Sequence, residues 1–371
     1  MFRLRAFIIW TVLGCSVCFA SASSMTLHLM DDREYAQRIP NQGPLSEQFT
    51  ALVSSLPNPI NITQNRPVRI ALMLFGDVQS LDNQSLLLTF RKRMRELGID
   101  YRLDVYAVDA LSEVDLSAYY KVAESQPDYI VMTKLGFVQR RFLERFLRSA
   151  RSKVILYDFA SPFKSWMNHS PLMYVGFDQQ KATTMLASYL DRQLPAEASI
   201  SALVLPSGYL SHVRCHVFLD EMVKFGRSIR RIFVLPDDKQ QAFLAAQTLL
   251  EESPSDFIFT CTQTMSDGVL LALQEKSQQD KSQPLGQTNT WGLPTDGITH
   301  LGDKRIKASV LFMKDDLSIA VAEAIKLDIE GKSMPSLYSE RSVLMPAGLD
   351  AESIRLMIQQ AYHYSVELWR K

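Results

Sequence analysis

Two doubly wound parallel-sheet lobes joined by a hinge, an α/β fold, are what this sequence predicts, on three observations. Short, continuously apolar runs such as Val68–Phe75 alternate with stretches of helical period all the way to Phe312. That is the pattern of parallel strands buried on both faces by crossover helices. The alternation falls into two sets of similar size, with no short-period repeat of the solenoid type. Finally, Tyr174-Val175-Gly176-Phe177-Asp178 followed by Gln179 to Leu186 reads as a buried strand, a tight glycine turn and an amphipathic helix, the unit from which such lobes are built.

The chain starts with a segment that is not part of that pattern. Arg3 and Arg5 precede an apolar run from Ala6 to Phe19, and Ala20-Ser21-Ala22 supplies small residues for cleavage. The run is short for a bilayer span, so residues 1–22 are expected to be a secretory signal peptide and the mature chain to reside in the periplasm. Val12-Leu13-Gly14-Cys15 is an alternative, lipoprotein-type site, less well matched than the Ala-x-Ala site. Cys15 and Cys18 fall inside this segment and are set aside from function. Residues 23–66, punctuated by Pro40, Pro44, Pro57 and Pro59, are expected to form an irregular arm packed on the surface.

From there the elements follow in order. The strand at 68–75 leads to a helix near 84–97 that ends at Gly98, where a left-handed residue can stop it. A strand near 101–108, a helix near 116–125, a strand at 129–133, a basic-faced helix at 139–151 and a strand at 154–157 complete the first set. The second set has strands at 173–176, 200–205, 228–235 and 257–261, with helices near 179–194, 209–225, 239–252 and 265–276. A polar loop is expected over 276–287. A strand at 306–312, a helix at 316–330, one strand near 337–344 and a helix from Ala351, capped by Asp350, close the chain. The expected division is 67–162 plus 293–334 for the N-terminal lobe and 163–292 plus 335–371 for the C-terminal lobe.

Composition narrows the function classes. The chain carries 40 basic and 40 acidic residues. Removing Arg3 and Arg5 leaves the mature chain two basic residues short of balance, with no clustered basic surface of the kind nucleic acid requires. Only Cys215 and Cys261 survive processing. An oxidising compartment permits a disulfide between them, but the sequence alone does not bring them within reach. His212 and His216, four apart beside Cys215, have helical metal-ligand spacing, yet no further ligand lies nearby, and no metal or other cofactor is expected. The chain lacks Gly-x-Ser-x-Gly, a phosphate loop and His-Glu-x-x-His, and Asp315-Asp316 is explained by the helix it begins, so the reading is a binding protein and not an enzyme.

In parallel sheets the ligand crevice lies beyond the strand C-termini, where helix N-termini point. Those segments are Phe75 to Asn83, Thr133 to Phe137, Asp158 to Ser161, Phe177-Asp178, Pro206 to Arg214, Thr262 to Thr264, and Trp291. Around them run Tyr174 to Asp178, Gly208-Tyr209-Leu210-Ser211, Val213-Arg214, Asp256-Phe257-Ile258, and Asp315-Asp316 with Ile319 to Lys326. On these runs, from about Arg66 to Tyr364, the sequence resembles the type I periplasmic binding proteins of the sugar-binding superfamily. Within them it is most similar to the autoinducer-2-binding receptors of the LuxP type. The resemblance implies a small polar ligand held between the lobes. It places Ser80, Thr133, Arg214 and Trp291 at ligand-contact positions of matching type. Val78, Asn83, Asp158, Thr264 and Phe312 stand where that family has other residues, which alters the pocket's hydrogen bonding. It further implies a membrane sensor kinase as partner and a quorum-sensing role in signal transduction. The alternative is delivery of a sugar-like solute to an ABC permease; the superfamily's usual carboxylate after the 257–261 strand is here Gln263-Thr264. A ligand-free adaptor is a third reading.

Overall fold

The computed structural model describes residues 28–30, 32–108, 115–252, 254–279, 286–293 and 304–369. The expected signal peptide, with Cys15 and Cys18, lies outside these residues, as do residues 280–285 of the expected 276–287 loop.

The first lobe is a six-stranded, wholly parallel sheet. Its strands are β1 (Val68–Phe75), β2 (Tyr101–Val108), β3 (Tyr129–Met132), β4 (Lys153–Tyr157), β5 (Met173–Phe177) and β11 (Leu337–Glu340), in the order β11-β5-β4-β3-β1-β2. The second repeats that arrangement with β6 (Ile200–Val204), β7 (Ile229–Val234), β8 (Phe257–Thr260), β9 (Gln287–Trp291), β10 (Ile306–Phe312) and β12 (Ser342–Pro346), in the order β12-β10-β9-β8-β6-β7. Here β12 alone is antiparallel, to β10. In both lobes the strand order reverses beside the first strand of the set, which opens a crevice at the C-terminal ends of the strands.

Sheet membership moves the expected boundaries. β5 hydrogen-bonds to β4 and belongs to the first lobe, so that lobe runs on to Phe177 and does not stop at residue 162. β10 pairs with β9 in the second lobe, so only the helix after it, α10 (Lys314–Ile329), returns to the first. The expected single strand over 337–344 is two strands, one in each sheet, broken at Arg341. Local pattern cannot assign these strands, because an apolar strand suits either sheet until its neighbours are known. The chain therefore crosses between the lobes at 177–179, 312–314 and 340–342, with Phe177 and Phe312 packed ring to ring, centroids 4.7 Å apart, where the first two crossings meet.

The glycine of the expected tight turn, Gly176, lies instead within strand β5, where contact dictates it. A Cβ on Gly176 would lie 2.6 Å from the backbone nitrogen of Phe159, so only glycine lets β5 approach the 158–162 segment this closely. Asp178 then caps α6 (Gln179–Gln193) by accepting from Lys181 N at 2.8 Å. In the first lobe α3 (Leu81–Glu96) is capped by Ser80, and Gly98 follows with φ +65°.

The N-terminal arm is more regular than its prolines suggest. It holds two helices, α1 (Asp32–Arg38) and α2 (Gln42–Val53). Pro40 falls between them and Pro44 in the first turn of α2, where a missing N–H costs nothing. The arm covers the edge strand β11: Gln42 Nε2 donates to Leu337 O at 2.8 Å, and Tyr35 Oη to Ser336 Oγ at 2.8 Å. Covering an edge in this way removes a template for strand pairing with another chain.

Between α3 and α10, Arg93 and Glu323 form a fully buried pair, Nε to Oε1 2.8 Å. In the second lobe, α9 (Gln263–Gln279) runs further than the expected helix, into the expected loop. The expected 209–225 helix is a π-helical turn, Ser211–His216, followed by α7 (Val217–Lys224). Cys215 of that turn is bonded to Cys261, just past β8, with a Cα–Cα distance of 5.4 Å. This takes Cys215 out of the metal-ligand spacing with His212 and His216. Among the described residues no three His, Cys, Asp or Glu side chains group as metal ligands.

Two predictions follow from these constraints. The disulfide closes a loop between residues 46 apart, which by chain entropy stabilises the fold by about 4 kcal/mol. Cys215→Ala/Cys261→Ala should therefore lower the denaturation midpoint substantially and steepen the slope, because the unfolded chain without the cross-link exposes more surface. The second concerns Asp316, in the first turn of α10. Its carboxyl is pushed up to about 7, first by burial and then by Glu340 and Asp315. The native state thus keeps a proton that the unfolded chain releases near pH ~4. Stability from this group is full below about pH 4 and is lost as pH rises towards about 7. Asp316→Asn should flatten that decline in a series of urea titrations across this range.

Candidate functional site

A cleft of about 480 Å³ lies between the lobes. From the first lobe it receives the β1–α3 turn: Gln79, the cap Ser80, Leu81 and Asp82. The second lobe supplies Leu210 and Arg214 from the π-helical turn, Asp237 after β7, Thr262 to Thr264 after β8, and Trp291 to Leu293 at the end of β9. Phe312 and Lys314 enter at the second crossing. The C-terminal segment adds Tyr362 and Trp369, beyond α11 (Ala351–Ala361).

Arg214 is the best-positioned group. It is 7% exposed, and its guanidinium lies 4.0 Å from the Trp291 ring centroid and 5.3 Å from that of Phe312. Nε donates to Gln179 Oε1 at 2.9 Å and Nη1 to Cys261 O at 3.1 Å. Both acceptors are neutral, so the fork is oriented without a paired carboxylate, and burial pushes its pKa down to about 10 against the raising influence of Asp158, Tyr209 and Asp237. A π-helical turn is an expensive local geometry that recurs at functional sites. Here it carries Arg214 and the bonded Cys215 side by side.

The aromatic wall is fixed as firmly. Trp291 Nε1 donates to Thr260 O at 2.7 Å and its backbone N to Gln263 Oε1 at 2.8 Å. The Trp291 and Phe312 rings are within 13° of parallel, centroids 6.4 Å apart. Gln263 is thereby spent on the Trp291 backbone, and Thr262 Oγ1 donates to Asp237 Oδ1.

Ser80, Arg214, Thr264, Trp291 and Phe312, singled out from the sequence, converge on this cleft. Asn83, Thr133 and Asp158 do not line it, each for a visible reason. Asn83 Nδ2 is tied to Phe75 O (3.2 Å) and Asp77 O (2.8 Å), fixing the β1–α3 turn that presents Ser80. Thr133 Oγ1 bridges to Met73 O at 3.2 Å and accepts from Phe75 N at 3.3 Å. Asp158 sits with φ +60° and pairs through Oδ2 with Lys314 Nζ at 3.0 Å, while its buried Oδ1 has no partner among the described residues. Val78 packs against the main core.

Sequence reasoning missed Lys314, Asp237, Tyr362 and Trp369. Burial alone would lower the Lys314 ammonium, but Asp158, Asp82 and Tyr157 outweigh it and hold the pKa above its ordinary value. The signal available was Lys314 immediately before Asp315-Asp316 and directly after a strand end, as Trp291 to Leu293 and Thr262 to Thr264 are. On the far side of the cleft, Tyr209 reaches across the lobes to stack on Phe159, centroids 4.2 Å apart, with its hydroxyl 3.3 Å from Ser161 Oγ.

A family model described as "Periplasmic binding protein domain" matches residues 90–333. The chain belongs to the periplasmic binding protein family. Its architecture also matches solved structures of that fold. One is the substrate-binding protein of a sugar ABC transport system from Bordetella parapertussis, at TM-score 0.66 and 13% identity, covering 86% of this chain and 99% of that one. A Caulobacter myo-inositol binding protein matches at TM-score 0.62 and 17% identity, covering 78% and 96%. A periplasmic solute-binding protein from Actinobacillus succinogenes with bound D-allose matches at TM-score 0.64 and 15% identity, covering 78% and 99%. At these identities the likeness establishes the fold. Among the described residues of this periplasmic binding protein, no helix is long and apolar enough to cross a membrane.

The Lys314–Asp158 pair gives the site a direct test. Lys314→Met leaves a partly buried carboxylate with one oxygen already unpartnered, a loss of about 1–3 kcal/mol. Lys314→Met/Asp158→Asn should recover part of that loss in a double-mutant cycle read by urea unfolding, since the two sites are in contact.

Proposed function

We propose that this protein is a periplasmic solute-binding protein for a sugar-sized, polyhydroxylated ligand, which it encloses between its lobes and presents to an ABC permease. The observation that carries the reading is the composition of one cleft. A buried guanidinium over two near-parallel aromatic rings shares it with the carboxylates of Asp82 and Asp237 and the hydroxyls of Ser80 and Thr264. Hydroxyl groups both donate and accept, so a polyol can satisfy cations and carboxylates together, while its C–H face suits an aromatic wall. The neighbours with bound D-allose and myo-inositol support this chemistry by analogy of fold.

Closure follows from where the groups are carried. Ser80 and Asp82 belong to one lobe, Asp237 and Thr264 to the other, so a ligand touching both favours the closed form through its differential affinity for it. A quorum-sensing receptor for autoinducer-2, reporting to a sensor kinase, is the second reading. Arg214 and Trp291 suit it, while Thr264 and Phe312, in the same cleft, depart from the residues that resemblance requires.

Thermal unfolding decides between them. D-allose or myo-inositol should raise the melting temperature in a saturable way, because a ligand that binds only the native state stabilises it by mass action. Arg214→Ala should weaken that binding by roughly tenfold or more, the scale of a lost charge-assisted hydrogen bond. A rise seen only with autoinducer-2 and borate would reverse the assignment.

A further inference from the structure

The C-terminal segment is where the structure carries more than the family match, which ends at residue 333. Helix α11 packs on the second lobe, its Ile354 and Ile358 sharing an apolar cluster with Leu311, Met313 and Met345. The chain then leaves that lobe. Tyr364 N and Ser365 N donate to Asp315 Oδ2 at 2.7 and 2.8 Å, and Ser365 Oγ to Oδ1 at 2.8 Å. Asp315 is held from the other side by Ser85 and Thr89 of α3, in the first lobe. Arg93 Nη1 adds a bond to Tyr364 Oη at 3.1 Å. The segment is thus a fourth passage between the lobes, fastened at both ends.

Tyr362, between those fastenings, and Trp369, four residues beyond the second, both line the cavity that holds Arg214 and Trp291. Their rings pack at a tilt of 36°, centroids 4.2 Å apart. The Trp369 Nε1–H is buried and has no acceptor among the described residues. Buried indole N–H groups ordinarily find a partner, so this one retains a hydrogen-bonding capacity that packing against protein does not use.

We propose that the Tyr362–Trp369 pair is a third wall of the ligand site, anchored through Asp315, that limits the cleft to a single sugar-sized ring. The proposal deepens the solute-binding reading and rests on it for the ligand class. It places a specificity element outside both lobes' strand–helix turns.

The test uses the full mature chain labelled with 5-fluorotryptophan, its Trp369 resonance assigned by W369F, and the probes D-allose, myo-inositol and the disaccharide maltose. In the unliganded protein the Trp369 fluorine should show a larger H2O-to-D2O shift than that of Trp166, which is packed away from the cleft. A probe that raises the melting temperature should move the Trp369 resonance saturably. Trp369→Ala should weaken the monosaccharide-sized probe by about tenfold and admit maltose, while W369F, which keeps an aromatic plate beside Tyr362, should retain size selection. Melting curves of both variants show whether the segment has kept its fold. Unchanged affinity and selection in Trp369→Ala would overturn the proposal, as would a Trp369 fluorine no more sensitive to solvent than that of Trp166. If no probe stabilises the wild type, the sugar reading fails by itself, and the solvent shift still decides whether the segment is a cleft wall.

Discussion

The two sheets share no strand, so their relation depends on what passes between them, and the Asp315 carboxylate ties the second crossing to the C-terminal segment. It stands in the first turn of α10, three residues after Phe312 ends β10. There it accepts hydroxyls from α3 and backbone N–H groups from the C-terminal segment. Burying a carboxylate is expensive unless its lone pairs are filled, and here they are filled by neutral donors from separate stretches of chain. The helix N-terminus adds a favourable field. An acid that looked like a helix-start preference is therefore also the knot that joins the first lobe, the crossing and the C-terminus.

Charge in the cleft is arranged on the same principle of prior commitment. Lys314 is paired with Asp158, and Arg214 has spent Nε and Nη1 on Gln179 and Cys261. Neither cation is a free point charge waiting for an anion. Fixing part of a guanidinium fork costs side-chain entropy during folding and not on binding, so its remaining donors meet a ligand already oriented. The disulfide contributes by holding the Arg214 turn against the segment that starts α9. The lobe-two half of the site is consequently rigid before any ligand arrives.

How much of this the sequence disclosed depends on the range of the interaction involved. Strand and helix positions followed from apolar periodicity, the Ser80, Arg214, Thr264 and Trp291 positions from the rule that crevices open at strand ends, and Phe312 from the family resemblance. Misplaced sheet membership for β5, β10 and β11 came from a long-range choice of partner that no local pattern encodes. Asn83, Thr133 and Asp158 are at the right ends of the right strands, but their side chains are consumed by the turn, the neighbouring strand and Lys314. Tyr362 and Trp369 were invisible because they reach the cleft from a terminal segment, not from a strand–helix turn. The arm helices were hidden by prolines that sit where helices tolerate them.

These placements separate two jobs within one site. Phe312, Lys314 and Tyr362 lie at or beside the passages between lobes, and Arg214 is bonded to Gln179, the first residue of α6 after a crossing. Groups this close to the pivot travel little when the lobes open, so their contacts with a ligand are much the same in both states. Such contacts set which ligand is held, but they shift no equilibrium, because a ligand drives closure only through contacts that differ between states. The differential term must come from groups carried well out on separate lobes, the 79–82 turn on one side and Asp237 with Thr264 on the other. Tyr209 on Phe159 is a further contact between the lobes that needs no ligand. Selection at the pivot and closure at the lips can then vary independently, which is how one scaffold can change its ligand while keeping its motion.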